Sequence, residues 1–315
     1  MSTSSGGATD TSTDQSSDSK AESTQDKVLH FFTCNDHDSV LFITQKGIVH
    51  SFKAWQLPIG TRSAKGVPLP TVLSMSANDA TVMAAVIPVS DFTSGSKHLV
   101  MCTKRGWIKK TRLDAFASLE GKKRGLTAIS LGQDDELKWV SISGGSGTDG
   151  EDSVILGTTQ GFATHFALDD KELRPTGRTS RGVRALNLRG NDEIADMCVL
   201  DGSTKDLLVV TSKGFGKRSS VDEFQKRKRG GKGVIATKFK ASKDDADGLA
   251  CLRAIREDDE VMLSTSSGII VRQRVANIPK QSRTATGVLV QRLDNSTHIT
   301  EVAVVPRRGE DEGPQ

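Results

Sequence analysis

The sequence has no tyrosine, and its other aromatic residues are limited to eleven phenylalanines and three tryptophans in 315 positions. The missing tyrosine excludes any reaction that would use a phenolic nucleophile of this chain. No apolar run approaches the roughly 18 residues expected of a membrane-spanning helix. The first residues contain no hydrophobic segment of the kind found in secretory signals. We therefore expect a soluble, intracellular protein without a membrane partner.

Cysteine is also scarce, and its spacing argues against a metal centre. Cys34, Cys102, Cys198 and Cys251 lie far apart and form no CxxC pair. A structural zinc site needs closely spaced ligand pairs, so we predict reduced cysteines and no metal. The six histidines form no pair with a serine or cysteine nucleophile, and the recurrent acidic runs precede strands as turn residues do. The sequence therefore predicts no enzyme site.

The two ends of the chain differ from the body in composition. Residues 1–27 are rich in Ser, Thr and Asp and hold five acidic residues against two lysines. Such a segment cannot bury enough apolar surface to fold, so we predict a disordered tail. Residues 306–315 are predicted to form an acidic tail. Since residues 1–27 carry −3 and residues 306–315 carry −1, the total formal charge of +4 leaves +8 on the body, residues 28–305, which favours a polyanionic partner.

A repeat organises the body. Each of five copies has a short apolar run, a glycine that we call the turn glycine, and a strand that ends in basic residues. The turn glycines are Gly47, Gly106, Gly161, Gly214 and Gly268, at intervals of 59, 55, 53 and 54 residues. A second glycine, here called the loop glycine, follows each of them after 19 to 21 residues. The loop glycines are Gly66, Gly125, Gly182, Gly233 and Gly287.

This period predicts the fold class. Repeats of about 50 residues indicate solenoids or propellers. Short alternating strands between Gly, Asp and Ser turns, with little helical periodicity, favour the propeller. We predict an all-β, propeller-like fold of five to six four-stranded blades, in which each blade covers the apolar face of its neighbour. The segment before the first turn glycine holds only the late strands of a unit, so we expect a truncated first blade.

Each loop glycine ends a loop rich in Lys and Arg. We call these segments basic loops 1 to 5: residues 61–66, 121–125, 177–182, 226–233 and 282–287. Their small residues leave backbone N–H groups accessible while the cationic side chains reach outwards, a combination that suits phosphate. Because the loops share one position in the repeat, a ring of blades would align them on one rim. Such a rim could bind and bend duplex DNA through its backbone.

The candidate DNA-binding residues are the cations of these loops and one glycine-rich run. They are Arg62 and Lys65 in basic loop 1, Lys122, Lys123 and Arg124 in loop 2, Arg178 and Arg181 in loop 3, Lys226, Arg227, Lys228, Arg229, Gly230, Gly231, Lys232 and Gly233 in loop 4, and Arg283 in loop 5. Basic residues on nearby strands are expected to add to the same surface. These are Lys53, Lys109, Lys110, Arg112, Lys217, Arg218, Arg272 and Arg274.

The repeat, its Arg-x-x-x-Gly loops and segments such as residues 53–58 and 216–221 resemble the C-terminal DNA-wrapping domain of the DNA gyrase A protein. The resemblance covers residues 28–305 and implies a β-pinwheel, in which neighbouring blades exchange strands and DNA wraps on the outer rim to support negative supercoiling. The family's signature box reads Gln-Arg-Arg-Gly-Gly-Lys-Gly. Residues 229–233 match its last five positions, with Arg227 and Lys228 at the first two. The family carries this box in its first blade, whereas here it lies in basic loop 4.

The resemblance also implies partners. They are duplex DNA, the gyrase A breakage-reunion domain and gyrase B, in a holoenzyme that uses ATP and Mg²⁺. This chain has neither a catalytic tyrosine nor an ATP site, so we expect no cofactor in it and no activity of the chain alone. The resemblance is compatible with the cytoplasm and nucleoid or with a plastid. The alternatives are a topoisomerase IV A-type C-terminal domain and a protein-binding propeller of the WD40 or chromosome-condensation-regulator type.

Overall fold

A computed structural model describes residues 32–61, 64–73, 82–93, 95–119, 124–144, 152–240, 247–294 and 296–306. The predicted N-terminal tail and nearly all of the predicted acidic tail lie outside these residues. The described part is built of strands, short turns of 3₁₀ helix and the single-turn helix α1 (Leu69–Val72). No helix in this part has the length and apolar character needed to cross a membrane.

The strands follow one another in a repeating pattern of long and very short elements. In chain order they are β1 (Ser39–Thr44), β2 (Ile48–Lys53), β3 (Met83–Val89), β4 (His98–Thr103), β5 (Trp107–Arg112), β6 (Leu126–Thr127), β7 (Leu137–Ser143), β8 (Ser153–Thr158), β9 (Phe162–Ala167), β10 (Val183–Arg184), β11 (Ile194–Leu200), β12 (Asp206–Thr211), β13 (Phe215–Ser220), β14 (Val234–Ile235), β15 (Leu249–Ile255), β16 (Glu260–Thr265), β17 (Ile270–Arg274), β18 (Val288–Leu289) and β19 (Ile299–Val305).

Each unit folds as a hairpin with a third strand beside it. In the first unit β1 pairs with β2 across a turn at Gly47, and β3 pairs antiparallel with the other side of β1. The later units repeat this pattern as β4–β5–β7, β8–β9–β11, β12–β13–β15 and β16–β17–β19. All five turn glycines have φ between +75° and +82°. Only glycine adopts this conformation freely, which explains the fixed position of glycine in the repeat.

Four of the sheets are completed by a short strand from the following unit, which we call the donated strand. β6 pairs with β2, β10 with β5, β14 with β9, and β18 with β13. The register is the same each time: the residue after the loop glycine pairs with the second residue after the turn glycine, as in Val183 with Ile108 and Val234 with Ala163. This pairing confirms the strand exchange that the resemblance implied.

The predicted fold class is confirmed: an all-β, propeller-like arrangement of five blades. Blades 1 to 4 have four strands, in the orders β3-β1-β2-β6, β7-β4-β5-β10, β11-β8-β9-β14 and β15-β12-β13-β18. Blade 5 has three strands, β19-β16-β17, within the described residues. The expectation of a truncated first blade is wrong, because Ser39–Thr44 is the first strand of a complete sheet. Since each fourth strand comes from the following unit, the sheet without a fourth strand in the described part of the chain is the last one.

The hydrophobic core lies between the blades. One cluster joins blades 1 and 2 through residues such as Leu41, Met101 and Phe116, and similar clusters join each later pair. Both faces of a sheet are therefore covered, and all six residues of β1 are buried. Consecutive third strands pack against one another, from β3 and β7 to β15 and β19. The third strands thus lie on the inner side of the assembly and the donated strands on its outer edge.

Candidate nucleic-acid interface

The topology places the basic loops at the outer edge of the blades. Each of basic loops 2 to 5 ends directly before a donated strand, and each donated strand lies on the outermost strand of the preceding blade. Since the register is the same in all four cases, the loops occupy equivalent places on successive blades. We call basic loops 2 to 5, with the donated strands that follow them, the basic rim.

Hydrogen bonds join each of loops 3, 4 and 5 to the residues that follow the preceding donated strand. The N–H of Ser130, a few residues after loop 2 and its donated strand, donates to the carbonyl of Ser180 in loop 3 at 3.1 Å. Between loops 3 and 4, the N–H of Gly230 donates to the carbonyl of Ala185 at 2.7 Å. Between loops 4 and 5, the hydroxyl of Thr237 donates to the carbonyl of Ala285 at 3.2 Å. The loops therefore form a continuous row.

Two buried lysines hold loops 3 and 5 from beneath, and we call them the anchoring lysines. Lys109 and Lys217 are each 1% exposed and each is the third residue after a turn glycine. The Nζ of Lys109 donates to the carbonyl oxygens of Ala128 (2.9 Å), Gly177 (2.7 Å), Arg178 (2.8 Å) and Ser180 (3.2 Å). The Nζ of Lys217 donates to the carbonyl oxygens of Ser282 (3.0 Å), Arg283 (2.5 Å) and Ala285 (2.6 Å). Burial lowers the pKa of each ammonium to about 8.

The anchoring lysines also set the direction of the loop backbone. In a trans peptide the N–H points away from the carbonyl of the preceding residue. Because three loop 3 carbonyls face Lys109, the N–H groups of Arg178, Thr179 and Arg181 point away from the interior. Outward N–H groups flanked by arginine side chains form a concavity that suits an anion.

The strand cations are the clearest departure from expectation. Lys109, Lys110 and Lys217 were expected on the surface, but all three are at least 95% buried. Lys110 bonds to Asp170 at 3.0 Å, Arg218 donates from Nε to a backbone carbonyl at 2.6 Å, and Arg112 and Arg272 pair with Asp114 and Glu260. The prediction that the strands enlarge the cationic surface is therefore wrong for the three buried lysines. Because both faces of these sheets are covered, a lysine within β5 or β13 is enclosed, whereas Arg112, Arg272 and Arg274 keep exposed side chains.

Two loop arginines, Arg229 and Arg283, connect their loops to the preceding unit through hydrogen bonds. The backbone N–H of Arg229 donates to Oε2 of Glu172 at 3.0 Å, and its Nη1 reaches the carbonyl of Arg184 at 3.5 Å. In the same way, the N–H of Arg283 donates to Oε2 of Glu223 at 2.6 Å, and its Nη1 donates to the carbonyl of Ile235. Each arginine lies four residues before its loop glycine, and each reaches the second residue of the previous donated strand.

The loop glycines bring each loop onto the preceding blade. Gly182, Gly233 and Gly287 have φ of +90°, +73° and +93°. A Cβ at Gly182 would lie 2.4 Å from the carbonyl oxygen of Ile108, so no side chain fits there. Gly233, which the sequence offered as a DNA-binding residue, has the same packing role, with a Cβ position 2.8 Å from the carbonyl oxygen of Ala163.

Comparison with known proteins assigns this architecture. The family described as DNA gyrase C-terminal domain, beta-propeller, matches residues 38–69, 97–143, 152–198, 205–247 and 259–306. The chain belongs to this family. The DNA gyrase A protein of Synechocystis sp. is 41% identical over 318 residues, which cover 91% of this chain and 36% of that protein. The DNA gyrase A protein of Staphylococcus aureus is 33% identical over 289 residues, which cover 91% of this chain and 31% of that protein.

The chain thus spans about a third of the length of the gyrase A proteins that it matches. Two solved structures share its fold. The C-terminal domain of DNA topoisomerase IV superimposes with a TM-score of 0.74 at 24% identity, covering 86% of this chain and 80% of that one. The DNA gyrase A C-terminal domain superimposes with a TM-score of 0.70 at 22% identity, covering 87% and 84%. The resemblance drawn from the sequence is confirmed, and the WD40-type alternative is removed.

The predicted site residues of this domain fall into three groups. Exposed on the surface are Lys65, Arg124, Arg181, Lys226, Arg227, Lys228, Gly230, Gly231 and Lys232. Half-buried are Arg178, Arg229, Gly233 and Arg283. Arg62, Lys122 and Lys123 lie outside the described residues. Loop 4 therefore presents the largest group of exposed cations in the described part of the rim.

Sequence reasoning missed two exposed cations that the rim also presents. The first is Arg184, whose guanidinium lies 5.0 Å from the centre of the Trp107 ring. The predicted Arg181 contacts the same ring at 4.0 Å. Arg189, also not singled out, lies 3.8 Å from the ring centre of Phe162. The signal was the aromatic residue directly after the turn glycine, Trp107 after Gly106 and Phe162 after Gly161. Stacking orients a guanidinium while leaving its N–H edge available to a phosphate.

Proposed function

We propose that this domain binds duplex DNA along the basic rim and bends it around the outer edge of the blades. The observation that carries the proposal is the continuous row of loops 3, 4 and 5, joined by hydrogen bonds and carrying exposed Lys and Arg. Such a row matches a polyanion that extends over several blades, whereas isolated surface cations would not.

The proposed contacts are with phosphate and not with base edges. The exposed groups are long, flexible cations and outward backbone N–H groups, which position a duplex without reading its sequence. The curvature of the edge would then make the affinity depend on how easily the duplex bends. Binding is therefore expected to be nearly independent of sequence and strongly dependent on salt.

As part of a gyrase A-type protein, the domain would support negative supercoiling. DNA cleavage would belong to the breakage-reunion domain, and ATP and Mg²⁺ to the holoenzyme that includes gyrase B. The identity to gyrase A proteins over 91% of the chain supports this role. We also propose an intracellular location, in the cytoplasm and nucleoid or in a plastid.

A topological assay tests the wrapping proposal. Nicked plasmid is incubated with the purified domain, religated and deproteinised, and the distribution of topoisomers is compared with a protein-free ligation. Wrapping shifts the linking number in proportion to the bound protein, and the sign of the shift gives the handedness of the wrap. Binding in a mobility-shift assay without any change of linking number would show that the rim holds DNA but does not wrap it.

The assay has a matched control within the chain. Lys228→Ala with Lys232→Ala removes two exposed charges from loop 4, and Lys205→Ala with Arg256→Ala removes two exposed charges from loops beside the inner strands. The first pair is expected to reduce the shift and the second to leave it unchanged. Equal effects of the two pairs would reject the rim as the binding surface.

A further inference from the structure

Three of the five outer strands begin with an aromatic residue directly after the turn glycine. They are β5 with Trp107 in blade 2, β9 with Phe162 in blade 3, and β13 with Phe215 in blade 4. Each ring has one or two cations over it, at 3.8 to 5.7 Å from the ring centre. We call them the stacked cations: Arg181 and Arg184 on Trp107, Arg189 on Phe162, and Lys240 on Phe215.

The repeat maintains the stacked cation in two ways. Arg189 and Lys240 are each the seventh residue after a loop glycine, and each lies over the aromatic ring of its own blade. The corresponding residue of the second unit is Gly132. A Cβ there would lie 2.5 Å from a guanidinium nitrogen of Arg181, so this glycine leaves room for the arginine that covers Trp107. A cation therefore lies over the ring in all three blades, although different sequence positions supply it.

The stacked cations differ from other cations of the outer strands in having no acidic partner. All four are exposed, and none forms a salt bridge with a carboxylate in the part of the chain that the structure describes. Further along the same outer strands, Arg112 pairs with Asp114 and Arg218 pairs with Glu257. Unpaired positive charge therefore extends from the basic loops towards the turn end of the strands.

The stacked cations form a second row beside the basic loops. Where loops 3, 4 and 5 begin, a backbone N–H donates to the carbonyl of the fourth residue after a turn glycine: Thr176 to Lys110, Arg227 to His165, and Gln281 to Arg218, at 2.8 to 2.9 Å. The aromatic residue is the first residue after the same glycine. Three residues of an extended strand cover roughly 10 Å. The two rows therefore follow the same blades, separated along the strand direction by about this distance.

This separation matches the spacing of phosphates across a groove of duplex DNA. The minor groove is about 6 Å wide and the major groove about 12 Å wide. A duplex that lies on the loops through one strand would therefore bring phosphates of its other strand to the stacked cations. Stacking on an aromatic ring orients a guanidinium and leaves its N–H edge available to such a phosphate.

We propose that the basic loops bind the phosphates of one DNA strand while the stacked cations bind those of the other strand across the same groove. The inference rests on the proposed binding of DNA by the basic rim, and it adds which residues contact the second strand. Contacts to both strands on the same blade would fix which groove faces the protein, and so the direction in which the duplex bends.

Two pairs of substitutions and two duplexes test this assignment. Arg184→Ala with Arg189→Ala removes two stacked cations, and Lys228→Ala with Lys232→Ala removes two loop cations, all at exposed positions. Circular dichroism verifies that each variant is folded. Binding is measured by fluorescence anisotropy at several salt concentrations, with an ordinary duplex and with a hybrid duplex in which one strand carries uncharged methylphosphonate linkages.

The hybrid duplex distinguishes the two rows. On the ordinary duplex, each pair is expected to lower the slope of log affinity against log salt by about 1.8, because each phosphate contact contributes about 0.9. The single charged strand of the hybrid is expected to lie on the loops, where more exposed cations are available. The stacked pair should then leave the slope on the hybrid unchanged, whereas the loop pair should lower it there too. Lys205→Ala with Arg256→Ala is the control and should change neither slope.

The outcomes separate this inference from the proposed function. An equal loss of slope on both duplexes from the stacked pair would place both rows on the same strand and overturn the inference. A stacked pair without effect on either duplex, beside a loop pair that lowers the slope, would show that the stacked cations do not contact DNA, and would overturn it as well. A loop pair that also has no effect would instead reject the basic rim as a DNA-binding surface.

Discussion

Basic loops 3 and 4 occupy the same place on neighbouring blades but are held in different ways. Loop 3 lies over Lys109, whose ammonium donates to its carbonyls. Loop 4 has Thr164 at the equivalent position and is held from outside, by the N–H of Arg227 on His165 and by Arg229 on Glu172. Loop 3 therefore uses a cation inside the protein, whereas loop 4 leaves four exposed cations for a ligand. Positive charge at this rim therefore has a structural function under loop 3 and, in our proposal, a DNA-binding function in loop 4.

The largest effect is expected from the contact cations of loop 4. Replacing Lys226, Arg227, Lys228 and Lys232 with alanine removes four exposed charges. Each phosphate contact contributes about 0.9 to the slope of log affinity against log salt, so the slope should fall by about 3.6 and the affinity at about 0.1 M salt by about three orders of magnitude. Fluorescence anisotropy with a labelled duplex at several salt concentrations measures both. An unchanged slope would mean that loop 4 does not contact DNA.

The next largest effect is expected from Lys109, the anchoring lysine beneath loop 3. Lys109→Met keeps the volume of the side chain but leaves the four carbonyls around it without their donor. We expect the free energy of unfolding to fall by about 3 kcal/mol, since buried unsatisfied polar groups are costly. Urea denaturation followed by circular dichroism measures this loss. Lys171→Met, at an exposed lysine, is the control and should change stability by less than about 0.5 kcal/mol. Equal values for the two variants would contradict the anchoring role.

A smaller effect is expected from pH. Burial holds the pKa of Lys109 at about 8, below its ordinary value of 10.5, so between these values the unfolded chain binds more protons than the folded one. The contribution of Lys109 to stability is thus constant below pH 8 and rises from there to about pH 10.5, by at most about 1.4 kcal/mol per pH unit. The stability difference between wild type and Lys109→Met should widen between pH 8 and 10. A difference that stays constant or narrows would reject the lowered pKa.

The smallest effect separates charge from stacking at Arg181. Arg181→Lys keeps the charge but loses the planar contact with Trp107, which is worth about 0.5–1 kcal/mol at an exposed site. Duplex affinity should fall about threefold while the salt slope stays unchanged. Arg181→Ala should lower the slope by about 0.9 as well. If both variants bind DNA like the wild type, Arg181 does not contact DNA and only helps to hold its loop in place.

The fold could be predicted from the sequence because the regular spacing of glycines marks the turns that need a left-handed backbone conformation. Gly47 and its four counterparts need a left-handed conformation, and this need survives divergence of the residues around them. The position of the incomplete blade was not accessible from the residues alone. It depends on which unit completes which sheet, and a two-residue strand such as Val183–Arg184 carries no periodic pattern of its own.

The site was only partly accessible for a related reason. In β5, Ile108 to Thr111 are four consecutive buried residues, so the alternation that normally separates inward from outward side chains is absent. Lys109 therefore looks like a surface cation in the sequence although it is enclosed. The loops were easier to interpret, because Lys226, Lys228 and Lys232 follow one another in a glycine-rich segment with no apolar residue to cover them.

Strand donation also has a consequence for biosynthesis. The first blade begins at Ser39, but its outer edge is not covered until Leu126 and Thr127 have left the ribosome. Throughout translation, the most recently made sheet therefore exposes one unpaired strand and waits for about one further unit of sequence. The domain is therefore expected to fold blade by blade from its N-terminal side. Each newly synthesised unit supplies the strand that completes the sheet of the unit before it.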